Sequence, residues 1–131
     1  MVPHPYSALA TLIALAVCLW TQALVSRART RFGVTAPAVT GCEEFERRFR
    51  IQMNTLEQLI LMLPSLWLCA LWFGEVPAAA GGLIWSVGRV IYALAYMNDP
   101  AKRGPGFALT ILPTMTMMVA TAFAVAKFLF A

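Results

Sequence analysis

Residues 41–73 read GCEEFERRFRIQMNTLEQLILMLPSLWLCALWF, a polar segment that becomes apolar about halfway along its length. The apolar part, Leu56 to Phe73, is close to the ~20 residues that a helix needs to cross a bilayer. We therefore predict one long helix over residues 41–73, with its polar start extending beyond the hydrocarbon. Such a segment is typical of a membrane protein.

The polar start of this segment carries helix signals of its own. Thr40 and Glu43 fit a Thr-x-x-Glu capping box, which would place the start of the helix there. Acid-before-base pairs at i, i+4 support an exposed helix by a few tenths of a kcal/mol each. Three such pairs occur: Glu43 with Arg47, Glu44 with Arg48, and Glu46 with Arg50.

Three more apolar stretches, Tyr6–Val25, Ala78–Met97 and Phe107–Phe130, are each long enough to span a membrane. The chain has 131 residues, of which 60% are hydrophobic and 12% charged, so little is left for a soluble domain. Residues 1–6 carry no Lys or Arg, so we interpret the first stretch as a retained helix and not a signal peptide. The sequence predicts a single all-α integral membrane domain over residues 1–131, with transmembrane helices at about 5–27, 41–73, 77–97 and 106–130.

The basic residues are concentrated at one side of this predicted bundle. Eight of the ten fall around the first and third connections: Arg27, Arg29, Arg31, Arg47, Arg48, Arg50, Lys102 and Arg103. The positive-inside rule places that side in the cytoplasm and both termini outside. We expect no nucleic-acid partner, and the three cysteines have no metal-ligand spacing, so we expect no metal site.

Helix two carries a polar stripe. Arg50, Asn54 and Glu57 are spaced i, i+4, i+7 and so share one face of the helix. An ionisable group such as Glu57, at the edge of an apolar run, usually points into a bundle or a wet cavity. The alternative is a purely structural buried pair between Glu57 and Arg89.

Helix three carries a second stripe, formed by Arg89, Tyr92 and Tyr96 at i, i+3, i+7, and Arg103 follows in the next connection. An interfacial aromatic belt is the alternative for the two tyrosines. Arg89 lies deeper than such a belt. Arg89 therefore favours a ligand-binding site over an aromatic belt.

Together these residues predict a basic, hydrogen-bonding pocket that is reached from the cytoplasmic side. Its members are Arg29, Arg50, Gln52, Asn54, Glu57, Arg89, Tyr92, Tyr96 and Arg103. Arginines bind carboxylates in bidentate fashion, and one carboxylate can accept an ammonium, so the pocket suits a small polyanion that bears an amine. An arginine beside a ligand thiol would favour the thiolate, which is the reactive nucleophile.

The same residues resemble the signature of a known family, the membrane-associated proteins in eicosanoid and glutathione metabolism (MAPEG). The run FERRFRIQMNTLE (residues 45–57) resembles the start of the family's second helix, and GRVIY (residues 88–92) with Tyr96 and Arg103 resembles its third helix and third connection. The resemblance covers nearly the whole chain.

The resemblance implies a homotrimer of four-helix subunits that binds glutathione as a co-substrate between neighbouring subunits. One subunit would contribute Arg50, Asn54, Glu57, Tyr92, Tyr96 and Arg103, and its neighbour Arg29 and Gln52. Arg103 would stabilise the glutathione thiolate, which would attack a lipophilic electrophile or reduce a lipid hydroperoxide. We expect a bacterial member of the family, located in the inner membrane.

Two alternatives to a broad glutathione transferase or peroxidase stay open. Within the transferase interpretation no specific eicosanoid reaction is assigned, because Gln58 and Thr30 stand where the leukotriene-conjugating members have Tyr and Arg. The first alternative is a glutathione- or lipid-binding scaffold of the same fold, which would lack catalysis. A small four-helix multidrug transporter would normally carry its acid in helix one, where this chain has none.

Overall fold

The computed structural model describes residues 3–131, and over that range the chain forms four α-helices. The elements are α1 (Pro5–Phe32), α2 (Glu43–Phe73), α3 (Glu75–Asn98), a short 3₁₀ helix (Pro100–Arg103) and α4 (Gly104–Phe130). All four α-helices are long and apolar enough to cross a bilayer, which confirms the predicted all-α membrane bundle. The predicted domain also includes Met1 and Val2, which lie outside the described residues.

The helix ends differ from the predicted ones where polar residues continue a helix out of the apolar layer. The first helix passes the predicted end at residue 27 and continues to Phe32, with Arg29 and Arg31 in its last turn, where cations favour the helix dipole. Gly33 ends it in the left-handed conformation at φ 67°, which glycine adopts without steric cost. The third and fourth helices begin at Glu75 and Gly104, before the predicted starts at 77 and 106.

The start of α2 is built differently from the predicted capping box. Cys42 is the N-cap, and its side chain makes no capping hydrogen bond. The backbone N–H of Gly41 donates instead to the Glu46 carboxylate at 3.0 Å. Of the three predicted ion pairs, Glu43 with Arg47 is formed, whereas Glu46 is engaged by Gly41 and the guanidinium of Arg48 donates to the Glu44 backbone carbonyl.

The third helix lies at the centre of the bundle, where it packs against α1, α2 and α4. Small residues on its buried faces, among them Gly82 and Gly88, let neighbouring helices approach closely, as is common in membrane bundles. Trp85 is fully buried in the central apolar cluster with Met62 and Leu66 of α2. This packing fixes how far α3 is rotated relative to α2.

The two ends of the bundle differ in charge. At one end, the Tyr6 N–H donates to the Glu75 carboxylate at 2.8 Å, and Trp72 packs edge-on against Phe128 with ring centroids 5.9 Å apart. The start of α1 and the end of α4 therefore lie beside the α2–α3 connection. The opposite end carries the basic residues at the end of α1, at the start of α2 and in the 3₁₀ helix.

Candidate functional site

The polar stripe of α2 forms a hydrogen-bonded group around one carboxylate. The guanidinium of Arg50 donates to Glu57 Oε1 at 3.3 Å, and the Asn54 amide donates to Glu57 Oε2 at 3.4 Å. The side chains of Arg50 and Glu57 are 53% and 50% exposed. The carboxylate is thus held in place by its own helix and stays accessible to a ligand.

Arg89 of α3 is fully buried. Its Nη2 donates to Thr55 Oγ1 of α2 at 3.0 Å, and its guanidinium carbon lies 4.0 Å from the centroid of the Tyr92 ring. Glu57 pairs with Arg50, so the alternative of a Glu57–Arg89 ion pair is wrong. Among residues 3–131, Nε and Nη1 of Arg89 have no hydrogen-bond partner, an arrangement that costs free energy unless another group binds them.

Aromatic rings connect Arg89 to the basic end of the bundle. The rings of Tyr92 and Tyr96 lie 5.5 Å apart, and the guanidinium carbon of Arg103 is 6.0 Å from the Tyr96 ring centroid. Arg103 is exposed, and its Nη1 donates to the Pro100 carbonyl at 3.0 Å. The second predicted stripe is therefore a continuous row of side chains.

The two stripes lie side by side because of residues between them. Ile51 is fully buried in one apolar cluster with Tyr92, and Thr55 binds Arg89. Sequence reasoning missed Thr55. At about 100° per residue Thr55 lies about 140° around α2 from Arg50, on the buried side with Ile51, so the i, i+4, i+7 spacing of the stripe does not select it. A search for hydroxyl groups on the buried side of α2 would have found it. We call the joined stripes the polar cluster; its members are Arg50, Asn54, Thr55, Glu57, Arg89, Tyr92, Tyr96 and Arg103.

Arg29 and Gln52 lie together but apart from the polar cluster. They line a cavity of about 310 Å³ between α1 and α2. Arg29 donates to the Ala38 carbonyl at 2.8 Å and stacks over the Phe45 ring at 5.0 Å. Gln52 is two residues from Arg50, about 200° around the helix, so it faces the other side of α2. Within one chain, the predicted site residues therefore form two separate patches.

The described residues, 3–131, hold no group of three or more His, Cys, Asp or Glu side chains that could bind a metal ion. Cys18, Cys42 and Cys69 are free thiols, and the first and last of them are buried. The chemistry available at the polar cluster is that of guanidinium, carboxylate, amide, hydroxyl and phenol groups.

A four-helix bundle with a polar cluster at its basic end defines the class of protein, a small multi-pass integral membrane protein. Residues 7–123 match the family model of the MAPEG family. The chain belongs to the MAPEG family, as its resemblance predicts.

The chain is similar to several members of the family. An uncharacterised protein of Synechocystis is 44% identical over 117 residues, which cover 89% of this chain and 82% of the relative. Human microsomal glutathione S-transferase 2 is 40% identical over 96 residues, 72% of this chain and 65% of that enzyme. Leukotriene C4 synthase of Cavia porcellus is 35% identical over 124 residues, 92% of this chain and 83% of that enzyme. At the family level these similarities support a function in glutathione conjugation.

Proposed function

We propose that this protein is a membrane-embedded glutathione transferase that activates glutathione as its thiolate and adds it to lipophilic electrophiles or uses it to reduce lipid hydroperoxides. The observation that carries the proposal is the continuous row from Arg89 through Tyr92 and Tyr96 to Arg103, beside the Arg50 stripe. The named glutathione and leukotriene relatives support the same chemistry.

The polar cluster offers a partner for each charged group of glutathione. The half-exposed carboxylate of Glu57 would accept the ammonium, with Asn54 holding its second oxygen. Arg50, whose guanidinium is half exposed, would bind a carboxylate in bidentate fashion. The phenols of Tyr92 and Tyr96 would donate hydrogen bonds along the peptide. All these side chains would contribute to glutathione binding and not to the chemical step.

Arg103 is assigned the catalytic role. Its guanidinium is exposed at the basic end of the cluster, and a cation next to the glutathione sulfur would lower the free energy of the thiolate relative to the thiol. The thiolate sulfur would then form a C–S bond to the electrophilic carbon of the second substrate, while the leaving group departs with the electron pair of the bond that breaks or, in an addition, the double-bond electron pair moves to an atom that takes up the thiol proton. With a lipid hydroperoxide, the sulfur would attack the outer peroxide oxygen, the O–O bond would break to release the lipid alcohol, and a second glutathione would convert the sulfenic acid to the disulfide with release of water.

A homotrimer would complete the site. Arg29 and Gln52 share a cavity on the side of α2 opposite the Arg50 stripe, so they are positioned to serve a site other than the one in their own chain. In a ring of three copies with cyclic symmetry, one patch of each chain meets the other patch of its neighbour. Glutathione would bind at that junction.

An apolar groove supports a lipophilic second substrate. It has a volume of about 830 Å³ and is lined by residues of α3, α4 and the end of α2, among them Ile84, Leu109, Leu112 and Met117. Leu109 lies against Gly88, the residue before Arg89, so one end of the groove comes close to the polar cluster.

We also propose that the protein lies in a bacterial inner membrane with its basic end in the cytoplasm, where the positive-inside rule would place it.

The test is the ultraviolet thiolate absorbance on adding glutathione to the detergent-purified protein. We compare wild type, Arg103→Ala and the matched control Lys102→Ala, which removes an adjacent exposed cation. The proposal expects a thiolate signal in wild type and Lys102→Ala that is lost in Arg103→Ala. Glutathione binding without thiolate in wild type would support the scaffold alternative, and no binding at all would refute the proposal.

A further inference from the structure

Arg47 connects two helices that meet at the basic end of the bundle. Its Nη1 donates to the backbone carbonyls of Met97 at 3.2 Å and Asn98 at 3.1 Å, the last two residues of α3. Its Nη2 pairs with Glu43 on its own helix, whose side chain is 73% exposed. Arg47 itself is 24% exposed and thus largely enclosed by these partners.

The carbonyls that Arg47 binds are ones that the helix cannot satisfy itself. The last carbonyls of a helix have no partner within it, and a cation there also favours the helix dipole. A guanidinium that bridges two consecutive carbonyls fixes both the position and the direction in which the chain leaves α3. Charged donors make the stronger hydrogen bonds of this kind.

Five residues after Asn98, the chain reaches Arg103 through the 3₁₀ helix. The Asp99 carboxylate accepts from the Ala101 N–H at 3.0 Å, and the Arg103 guanidinium donates to the Pro100 carbonyl at 3.0 Å. These two bonds lie within the turn, which also packs against α3 and α4 and places Arg103 against the Tyr96 ring. Arg47 attaches the end of α3, from which the turn continues, to α2.

We infer that Arg47 is a positioning residue that holds the 3₁₀ helix in place and thereby sets the distance between the Arg103 guanidinium and the glutathione sulfur. This inference rests on the proposed function. Because Arg47 acts through Arg103, its loss lowers thiolate formation and turnover much more than it lowers glutathione binding. A purely structural residue would instead reduce the amount of folded protein and affect binding and turnover alike.

The adjacent Arg48 provides a matched control. Its guanidinium donates to the Glu44 carbonyl within α2 and, among residues 3–131, makes no hydrogen bond to α3. Arg47→Ala and Arg48→Ala therefore remove the same charge from the same helix, but only the first removes the hydrogen bonds to the end of α3. Arg47→Lys keeps a charged donor for the carbonyls and is expected to restore part of the activity.

The experiment measures thiolate absorbance, kcat and the KM for glutathione in wild type, Arg47→Ala, Arg48→Ala, Arg103→Ala and the double variant of Arg47 and Arg103. We expect Arg47→Ala to lower the thiolate signal and kcat about tenfold with a KM within about threefold of wild type. Arg48→Ala stays at wild-type values. In the Arg103→Ala background, Arg47→Ala adds no further loss, because the two act as a unit. Equal losses in Arg47→Ala and Arg48→Ala, or the same factor of loss in both backgrounds, would overturn the inference.

A spin label on Lys102→Cys, in a Cys42→Ala background, reports the mobility of the 3₁₀ helix without any substrate; Cys18 and Cys69 are buried. Mobility rises in Arg47→Ala and stays unchanged in Arg48→Ala. Unchanged mobility in Arg47→Ala would refute the inference even if the proposed function holds. A wild-type protein that forms no thiolate would refute the proposed function instead, and the label then still decides whether Arg47 holds the turn.

Discussion

Gly106→Ala is the substitution whose effect the structure determines most directly. Near the start of α4, Gly106 lies against the backbone of Tyr92 in the polar cluster. A Cβ added to Gly106 would be 2.4 Å from the Tyr92 nitrogen and 2.5 Å from its Cα. Both contacts are with backbone, so no side chain can rotate away, and α4 must separate from α3.

The size of the effect follows from these distances. The shortest contact falls about 1 Å short of the 3.4 Å at which ordinary van der Waals contact begins. Overpacking of this kind costs about 1–3 kcal/mol of stability. A displacement of about 1 Å at a site can also cost about 100-fold in turnover. We therefore expect kcat/KM to fall about 100-fold and the thermal midpoint to drop.

Gly104→Ala is the control, since it makes the same change two residues earlier in the same helix. A Cβ there meets nothing within 4 Å, and Gly104 has helical angles, φ −52° and ψ −54°. Alanine in a helix is favoured over glycine by about 0.5–1 kcal/mol, so the control is expected to be neutral or slightly stabilising.

The assays are glutathione turnover with a model electrophile and thermal unfolding followed by circular dichroism, both in the same detergent. Gly106→Ala with wild-type turnover and an unchanged midpoint would refute the close approach of α4 to Tyr92. A lower midpoint with wild-type turnover would show that the contact supports the fold but not the site.

Three further predictions concern the polar cluster and its proposed completion by a neighbour. Glu57→Gln should raise the KM for glutathione more than it lowers kcat, because Glu57 binds the ammonium in the ground state; an unchanged KM in steady-state assays would remove that assignment. Thr55→Val removes the hydroxyl that accepts from Arg89 and should lower unfolding stability by about 1–3 kcal/mol, whereas Thr55→Ser should retain it; equal midpoints for the two in thermal scans would contradict this. Arg29→Ala and Arg50→Ala subunits, each inactive alone, should recover about one quarter of wild-type activity when they are co-expressed in equal amounts. In random assembly, about one interface in four joins the intact Arg50 patch of one subunit to the intact Arg29 patch of its neighbour. No recovery in a verified mixed assembly would refute the shared site.

The four membrane-spanning helices and the residues of both polar stripes can be predicted from the amino-acid sequence. Apolar stretches of sufficient length must form helices in a bilayer, because every backbone polar group has to be satisfied internally. Once the helix is known, the 1.5 Å rise and about 100° turn per residue place Arg50, Asn54 and Glu57 on one face. The same geometry puts Gln52 on the other side of α2. These results need no knowledge of neighbouring helices.

Contacts between side chains of different helices, in contrast, depend on how the helices pack. Glu57 could have reached Arg89, yet it binds Arg50 while Thr55 binds Arg89. Arg47 fits an i, i+4 pair in sequence, and its second contact, to the end of α3, cannot be read from any spacing. The physical reason is that helix periodicity fixes angles within one helix, whereas partners between helices depend on how close packing, here at small residues such as Gly106, sets the rotation and separation of the helix axes.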